Sequence, residues 1–175
     1  MAKITVKNTG IERKFEDNEI IVSKTNKTGK LTYVNDVFVS ISGFSEEECL
    51  GQPHSMIRHP DMPRCIFKLL WDTITGGNEL FAYVLNNCKN GDHYWVLAHV
   101  TPSRDSAGAI TGFHSNRRTP SHPGLEQVII PLYKELLAIE SRHSNPKEGL
   151  DASYKKLTGI LAEKNISANE FALAV

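Results

Sequence analysis

The chain has 175 residues, 40% of them hydrophobic and 23% charged, which suits one globular domain with a real core. Twenty Lys and Arg balance twenty Asp and Glu, so no net field draws it to nucleic acid or an anionic membrane. No apolar run approaches the roughly 20 residues of a membrane helix, Met1–Lys7 is too polar for a secretory signal, and three cysteines without CxxC spacing (Cys49, Cys65, Cys88) argue for a reducing cytoplasm and against disulfides or a zinc cage.

Residues 1–18 are polar and mixed and read as a loosely held arm. Ile20-Ile21-Val22 and Leu31-Thr32-Tyr33-Val34 read as two strands of a hairpin, with a turn at Lys27–Lys30. Asn35 or Asp36 can cap a short helix carrying Phe38, Val39 and Ile41, which Gly43 ends. Ser45 and Glu48 form a capping box for another short helix. Pro53, Pro60 and Pro63 confine residues 52–63 to loop or single helical turns. Ile66, Phe67, Leu70 and Ile74 give the next helix one apolar face, closed by Gly76-Gly77.

The following forty residues read as β. Glu79–Cys88 is a strand, and Asn90-Gly91 suggests a type I′ hairpin turn. His93–Ser103 alternates, with Tyr94, Val96, Ala98 and Val100 on one face and Trp95, Leu97, His99 and Thr101 on the other. Ala109–Arg118 is the last strand. Helical patterns then occupy about Gly124–Ser144, the segment around Leu150–Leu161, and a short end after Ser167. Val128, Leu132, Leu136 and Ile139 would be the contact face of the first, packing on the sheet, on a second copy or on a partner helix. The order predicts an α+β fold, an antiparallel sheet with helices on one side. The expected division is an arm over 1–18, a sensor domain over 19–120 and a helical extension over 121–175.

Leu31–Phe38 followed by Ser42–Glu48 resembles the opening of a PAS domain. Two further blocks, Gly51-Gln52-Pro53-His54-Ser55-Met56-Ile57-Arg58-His59-Pro60-Asp61-Met62-Pro63 and Lys89–Val96, closely resemble the aerotaxis-receptor type of PAS domain, as does Pro131-Leu132-Tyr133-Lys134. The resemblance covers about residues 20–135. It implies a five-stranded PAS sheet and an FAD held between sheet and helices, whose redox state reports respiratory or oxygen status. It also implies a signal passed by contact to a membrane-bound transducer of the methyl-accepting chemotaxis type, with homodimerisation left open. Classical receptors of this family carry a membrane anchor and signalling helices in the same chain. This sequence shows neither, so it resembles the stand-alone PAS partner of a bipartite energy-taxis system.

A flavin dinucleotide needs apolar walls, groups for its polar edge, and positive or N–H groups for its pyrophosphate. His54, Arg58, His59 and Asp61 offer such groups on one loop. Arg58 can bind phosphate bidentately, and Asp61 can orient Arg58 or His59 or reach a ribose. The resemblance implies that these four, with Asn35, Trp71 and Asn86, line or support the site. Phe67 lies one turn before Trp71. Of Tyr94 and Trp95, only one can face the pocket. Each has a plainer alternative: a surface ion pair for Arg58 and Asp61, a core aromatic for Trp71, a helix cap for Asn35, and a strand or turn residue for Asn86. A haem held by His54, His59 or His114 is a competing reading, and a ligand-free dimerisation module is another. The loop lacks the reactive cysteine of light-sensing PAS domains. No nucleophile–base pair, P-loop or GxGxxG is present, which agrees with a sensor and not with an enzyme.

Overall fold

The computed structural model describes residues 7–175. Five antiparallel strands, β1 (Ile21–Asn26), β2 (Leu31–Val34), β3 (Leu80–Asn87), β4 (His93–Arg104) and β5 (Ile110–Arg118), form one sheet in the order β2-β1-β5-β4-β3. Between β2 and β3 lie α1 (Asp36–Ser42), α2 (Glu46–Cys49), a single 3₁₀ turn (His54–Ile57) and α3 (Arg64–Thr75). After β5 come α4 (His122–Gly124), a π-helical turn (Leu125–Ile129), α5 (Ile130–Ser141), α6 (Pro146–Lys164) and α7 (Ala168–Ala174). This is the expected α+β architecture.

Local chemistry accounts for the helix ends. Asn35 caps α1 by accepting from Phe38 N, and Gly43 ends it with a left-handed φ of 74°. The Ser45–Glu48 capping box is formed in full, as is a second at Ser167–Glu170 that starts α7.

Alternation along β4 splits the core between the two sheet faces. Tyr94, Val96, Ala98 and Val100 join Ile21, Phe38 and Ile57 beneath α1–α3. Trp95 joins Tyr83 and Leu85 on the other face, where Leu125, Ile129, Tyr133, Leu136 and Leu157 cover them. The sheet thus carries the short helices α1–α3 on one face and the C-terminal helices on the other. Each fully buried large apolar side chain is worth about 1.5–3 kcal/mol.

Two local expectations are corrected. Only Gly91 of the β3–β4 turn is left-handed (φ 94°), so the turn is not type I′, which needs positive φ at both central residues. Gly91 N donates to Cys88 O and Cys88 N to Asp92 O, closing a wider loop. The helical stripe after β5 faces inward through Leu125, Ile129, Tyr133 and Leu136, while Val128 is exposed. The π turn adds a residue before Pro131, which has no N–H to give, and this shifts the phase.

The arm is held rather than loose where it is described; residues 1–6 lie outside the described residues. Thr9 N donates to Gly91 O (3.0 Å), Arg13 N to His93 O (2.7 Å) and His93 N to Ile11 O (3.0 Å). The Arg13 side chain adds a bond from Nη1 to Ile41 O (2.9 Å).

Candidate functional site

Between the inner sheet face and α3 lies a cavity of about 220 Å³. Phe67, Leu70, Trp71 and Ile74 form its helical wall, because α3 presents residues three and four apart on one side. Val84, Ala98, Val100 and Phe113 form its floor. The strands also contribute Ser23, Asn86, Ser115 and Arg117, and the 3₁₀ turn and its end contribute His54, Ser55 and Arg58. Trp71 stands edge-on to Phe113 (centroids 5.5 Å, planes 86° apart) and is 37% exposed. Its indole lies against Gly29 of the β1–β2 turn, where an added Cβ would meet Cζ2 and Cη2 at 3.0 Å.

The cavity's charge comes from Arg117. It is 2% exposed on β5, and no carboxylate pairs with it among the described residues. Its Nη2 donates to Ser23 Oγ (2.5 Å) and to His54 Nε2 (2.6 Å), and its charge lies 5.6 Å from the Phe38 ring centroid. Its Nη1 is buried without a partner. Burial lowers the pKa of Arg117, opposed by Tyr94. Burial and then the adjacent Arg117 push His54 down to about 3, so the imidazole is neutral and accepts at Nε2. Asn86 is 2% exposed, and its Nδ2 is also buried without a partner. Two donors without acceptors in an apolar-walled cavity are costly, and they suit a ligand with acceptor atoms.

Five of the ten expected residues therefore line the cavity: His54, Arg58, Phe67, Trp71 and Asn86. Arg58 stacks on Phe67, with its charge 4.1 Å from the ring centroid, and its backbone bridges to Asn86. The other five lie elsewhere. Asn35 spends its side chain on structure, accepting from Phe38 N and Val22 N and donating to Ile20 O. His59 is buried under the arm, with Nδ1 accepting from Asp61 N (3.0 Å) and Nε2 facing the Asn8 amide (3.1 Å). Asp61 has a 73% exposed side chain near His59 and does not orient Arg58. Tyr94 is on the cavity's side of the sheet but buried in the core with Phe38, Cys49 and Cys88. Trp95 is on the opposite face, tilted against Tyr133 (6.0 Å).

Arg117 and Ser23 are the residues that sequence reasoning missed. Extending the inward alternation of Phe113 and Ser115 by two would have placed Arg117 in the interior. A charged side chain at a position with a core pattern was the available signal.

A five-stranded antiparallel sheet in this order, with short helices roofing a cavity on its inner face, defines a PAS fold. Residues 31–116 form a domain of that fold and match the family described as PAS fold. It is 41% identical to the aerotaxis receptor of Escherichia coli (strain K12) over 122 residues, 70% of this chain and 24% of the receptor. Phototropin-1A of Oryza sativa subsp. japonica is 27% identical over 105 residues, 60% of this chain and 11% of that protein. The chain thus spans at most about a quarter of the length of either relative. Among solved structures, the dark state of the blue-light photoreceptor Aureochrome1 LOV superposes with a TM-score of 0.55 at 21% identity, covering 70% of this chain and 99% of that one. That likeness is one of fold. No helix among the described residues is long and apolar enough to cross a membrane.

Proposed function

We propose that the cavity holds the ring system of a flavin, FAD by its likeness to the aerotaxis receptor, and that the chain is a redox sensor. The observation that carries this reading is Arg117. A buried cation with no counter-ion and a free Nη1 is expensive unless a ligand supplies acceptors. Bound flavin would supply reversible electron uptake, with negative charge and protons redistributed on its polar edge. Arg117 would oppose that edge as a fixed positive charge, held by Ser23 and His54. The Asn86 amide would donate to the same edge. Phe67, Leu70 and Trp71 would exclude water from the ring faces, and Arg58 would serve the phosphates.

The haem reading has less support: the Nε2 of His54 is taken by Arg117, that of His114, which does line the cavity, faces Asn116 Oδ1 at 3.0 Å, and His59 does not line the cavity. The signal would leave by contact, through Asn86 and the strands around it, to a transducer of the chemotaxis type, with the chain cytoplasmic. The test is the absorbance of the purified protein and of the small molecule it releases on denaturation. A flavin spectrum bleached by dithionite and restored by air is expected. A protein that stays colourless after incubation with FAD, with no change in Trp71 fluorescence, overturns the assignment.

A further inference from the structure

The arm runs parallel to the start of β4, in a bridge between Glu12 and His93, and its side chains lock at two polar points. At one, Asp92 accepts from Thr9 Oγ1 (2.6 Å) and from Asn90 Nδ2 (2.7 Å), with Arg13 Nε 3.9 Å away. At the other, Asn8 meets Nε2 of His59, a ring only 4% exposed.

The bonds of His59 fit one protonation state. Nδ1 accepts from Asp61 N (3.0 Å), so it carries no proton. The neutral ring therefore holds its proton on Nε2 and donates it to the amide oxygen of Asn8. A second proton would sit on Nδ1 and face the Asp61 N–H. It would also put a charge where the arm keeps out water. The charged groups around the ring pull in opposite directions. The Asp61 carboxylate, with Oδ2 3.8 Å from Nδ1, attracts an imidazolium, and His93, edge-on at 5.8 Å, repels one when charged. The arm itself meets the ring through the neutral Asn8, while Arg13 is turned to Asp92 and to Ile41 O. Burial is the largest influence and lowers the pKa of His59, with Asp61 opposing it and His93 adding to it. The Asp61 side chain is 73% exposed, so a charged ring that turns toward it also reaches water.

We propose that His59 is a proton-operated latch for the arm: neutral, it holds the arm through Asn8, and charged, it turns to Asp61 and lets the arm go. The docked arm disfavours the protonated ring, so protonation disfavours docking by the same factor. Docking is therefore at full strength above about 6.5, the ordinary value of histidine. It weakens by up to about tenfold per pH unit below that, until the docked ring also protonates. Asp92, the other lock, stays charged in this window, because bonds from Thr9 and then Asn90 hold its pKa below the ordinary carboxylate value. The latch works whatever fills the cavity.

The experiment uses the full chain and reads two quantities by NMR between pH 7.5 and 5. One is exchange protection at the Thr9, Arg13 and His93 amides, which hold the arm, corrected for the intrinsic pH dependence of exchange. The other is the pKa of the His59 ring. In the wild type, protection at the three amides falls by up to about tenfold per pH unit below about 6.5. His59→Gln, which cannot take a charge, keeps its arm protection constant over the range. Asn8→Ala, at an exposed arm residue, raises the His59 pKa toward the ordinary value, and Asp61→Asn, which removes the partner of the charged ring, lowers it. Arm protection that ignores pH in the wild type overturns the proposal. So does the same fall with pH in His59→Gln, which would make His93 or Asp92 the titrating group. An unchanged His59 pKa in either surface variant overturns it as well. Should His59→Gln fail to fold, the two surface variants decide by the ring pKa alone.

Discussion

Arg117 and His54 meet across the cavity floor at 2.6 Å, the guanidinium donating to Nε2 of a neutral imidazole. The pair joins the last strand to the 3₁₀ turn and fixes the one buried positive charge of the cavity without neutralising it. The first prediction follows from that unneutralised charge. Arg117→Met removes a buried cation while keeping an extended apolar side chain. Stability without ligand should be unchanged or higher, by up to about 1–4 kcal/mol, while flavin retention falls at least about tenfold. Thermal melting and flavin titration separate the two effects. Full flavin retention in a folded Arg117→Met would remove Arg117 from the site.

His54 makes stability depend on pH. In the folded chain it resists protonation down to about 3, because burial and then Arg117 disfavour the charged ring. The unfolded chain takes up that proton near pH 6.5. Between these values the unfolded state binds more protons, so stability is intact above about 6.5 and is lost as pH falls toward 3, at up to about 1.4 kcal/mol per pH unit. Urea unfolding from pH 7.5 to 4.5 should show this slope, and His54→Asn should flatten it. Equal slopes in both proteins would mean that His54 is not the titrating group.

Trp71 closes the mouth of the cavity against Gly29, whose φ of 76° already suits only glycine well. The chain has two tryptophans, and Trp95 lies on the far face of the sheet. In Trp95→Phe, the remaining Trp71 should be strongly quenched on adding FAD. Gly29→Ala should cost about 1–2 kcal/mol from the left-handed backbone, displace the indole and speed flavin release. An unquenched Trp71 in a flavin-loaded protein would place the ring elsewhere.

Glu140 is the polar tie between α5 and the start of α3. Its carboxylate accepts from Arg64 Nε (2.9 Å), Cys65 N (3.1 Å) and Ser153 Oγ (2.9 Å). Burial alone would raise its pKa, but the bonds from Arg64, Ser153 and the backbone outweigh that and hold it below the ordinary value. A depressed folded value means that this stabilisation is present above the usual carboxylate range and is lost as pH falls through the folded pKa. Glu140→Gln should cost on the order of 1–3 kcal/mol at pH 7 and loosen α5 and α6 in hydrogen exchange without affecting β1 and β2. A cost spread evenly over the chain would refute the local role.

The sheet and the helix ends were legible because they rest on local chemistry. Ser45 and Glu48, Asn35, Gly43 and the alternation of Tyr94 to Thr101 each declare a conformation within a few residues. The loop from His54 to Asp61 was legible as a site but not in its parts. His54 and Arg58 reach the cavity, whereas His59 faces the arm and Asp61 faces solvent, because a 3₁₀ turn followed by extended backbone sends neighbours in different directions.

Taken alone, the order of residues determined the strands, the caps and the apolar face of α3, since periodicity and capping act over one or two turns of chain. Only tertiary structure decided that Trp95 lies under α5 and not in the cavity, that the π turn re-aims the helix after β5, and that Arg117 meets His54, 63 residues away in sequence. Those outcomes depend on which faces are covered and on where a buried charge finds donors and acceptors. Local spacing can mark Arg117 as inward-facing, but not which partner a buried charge meets across the fold.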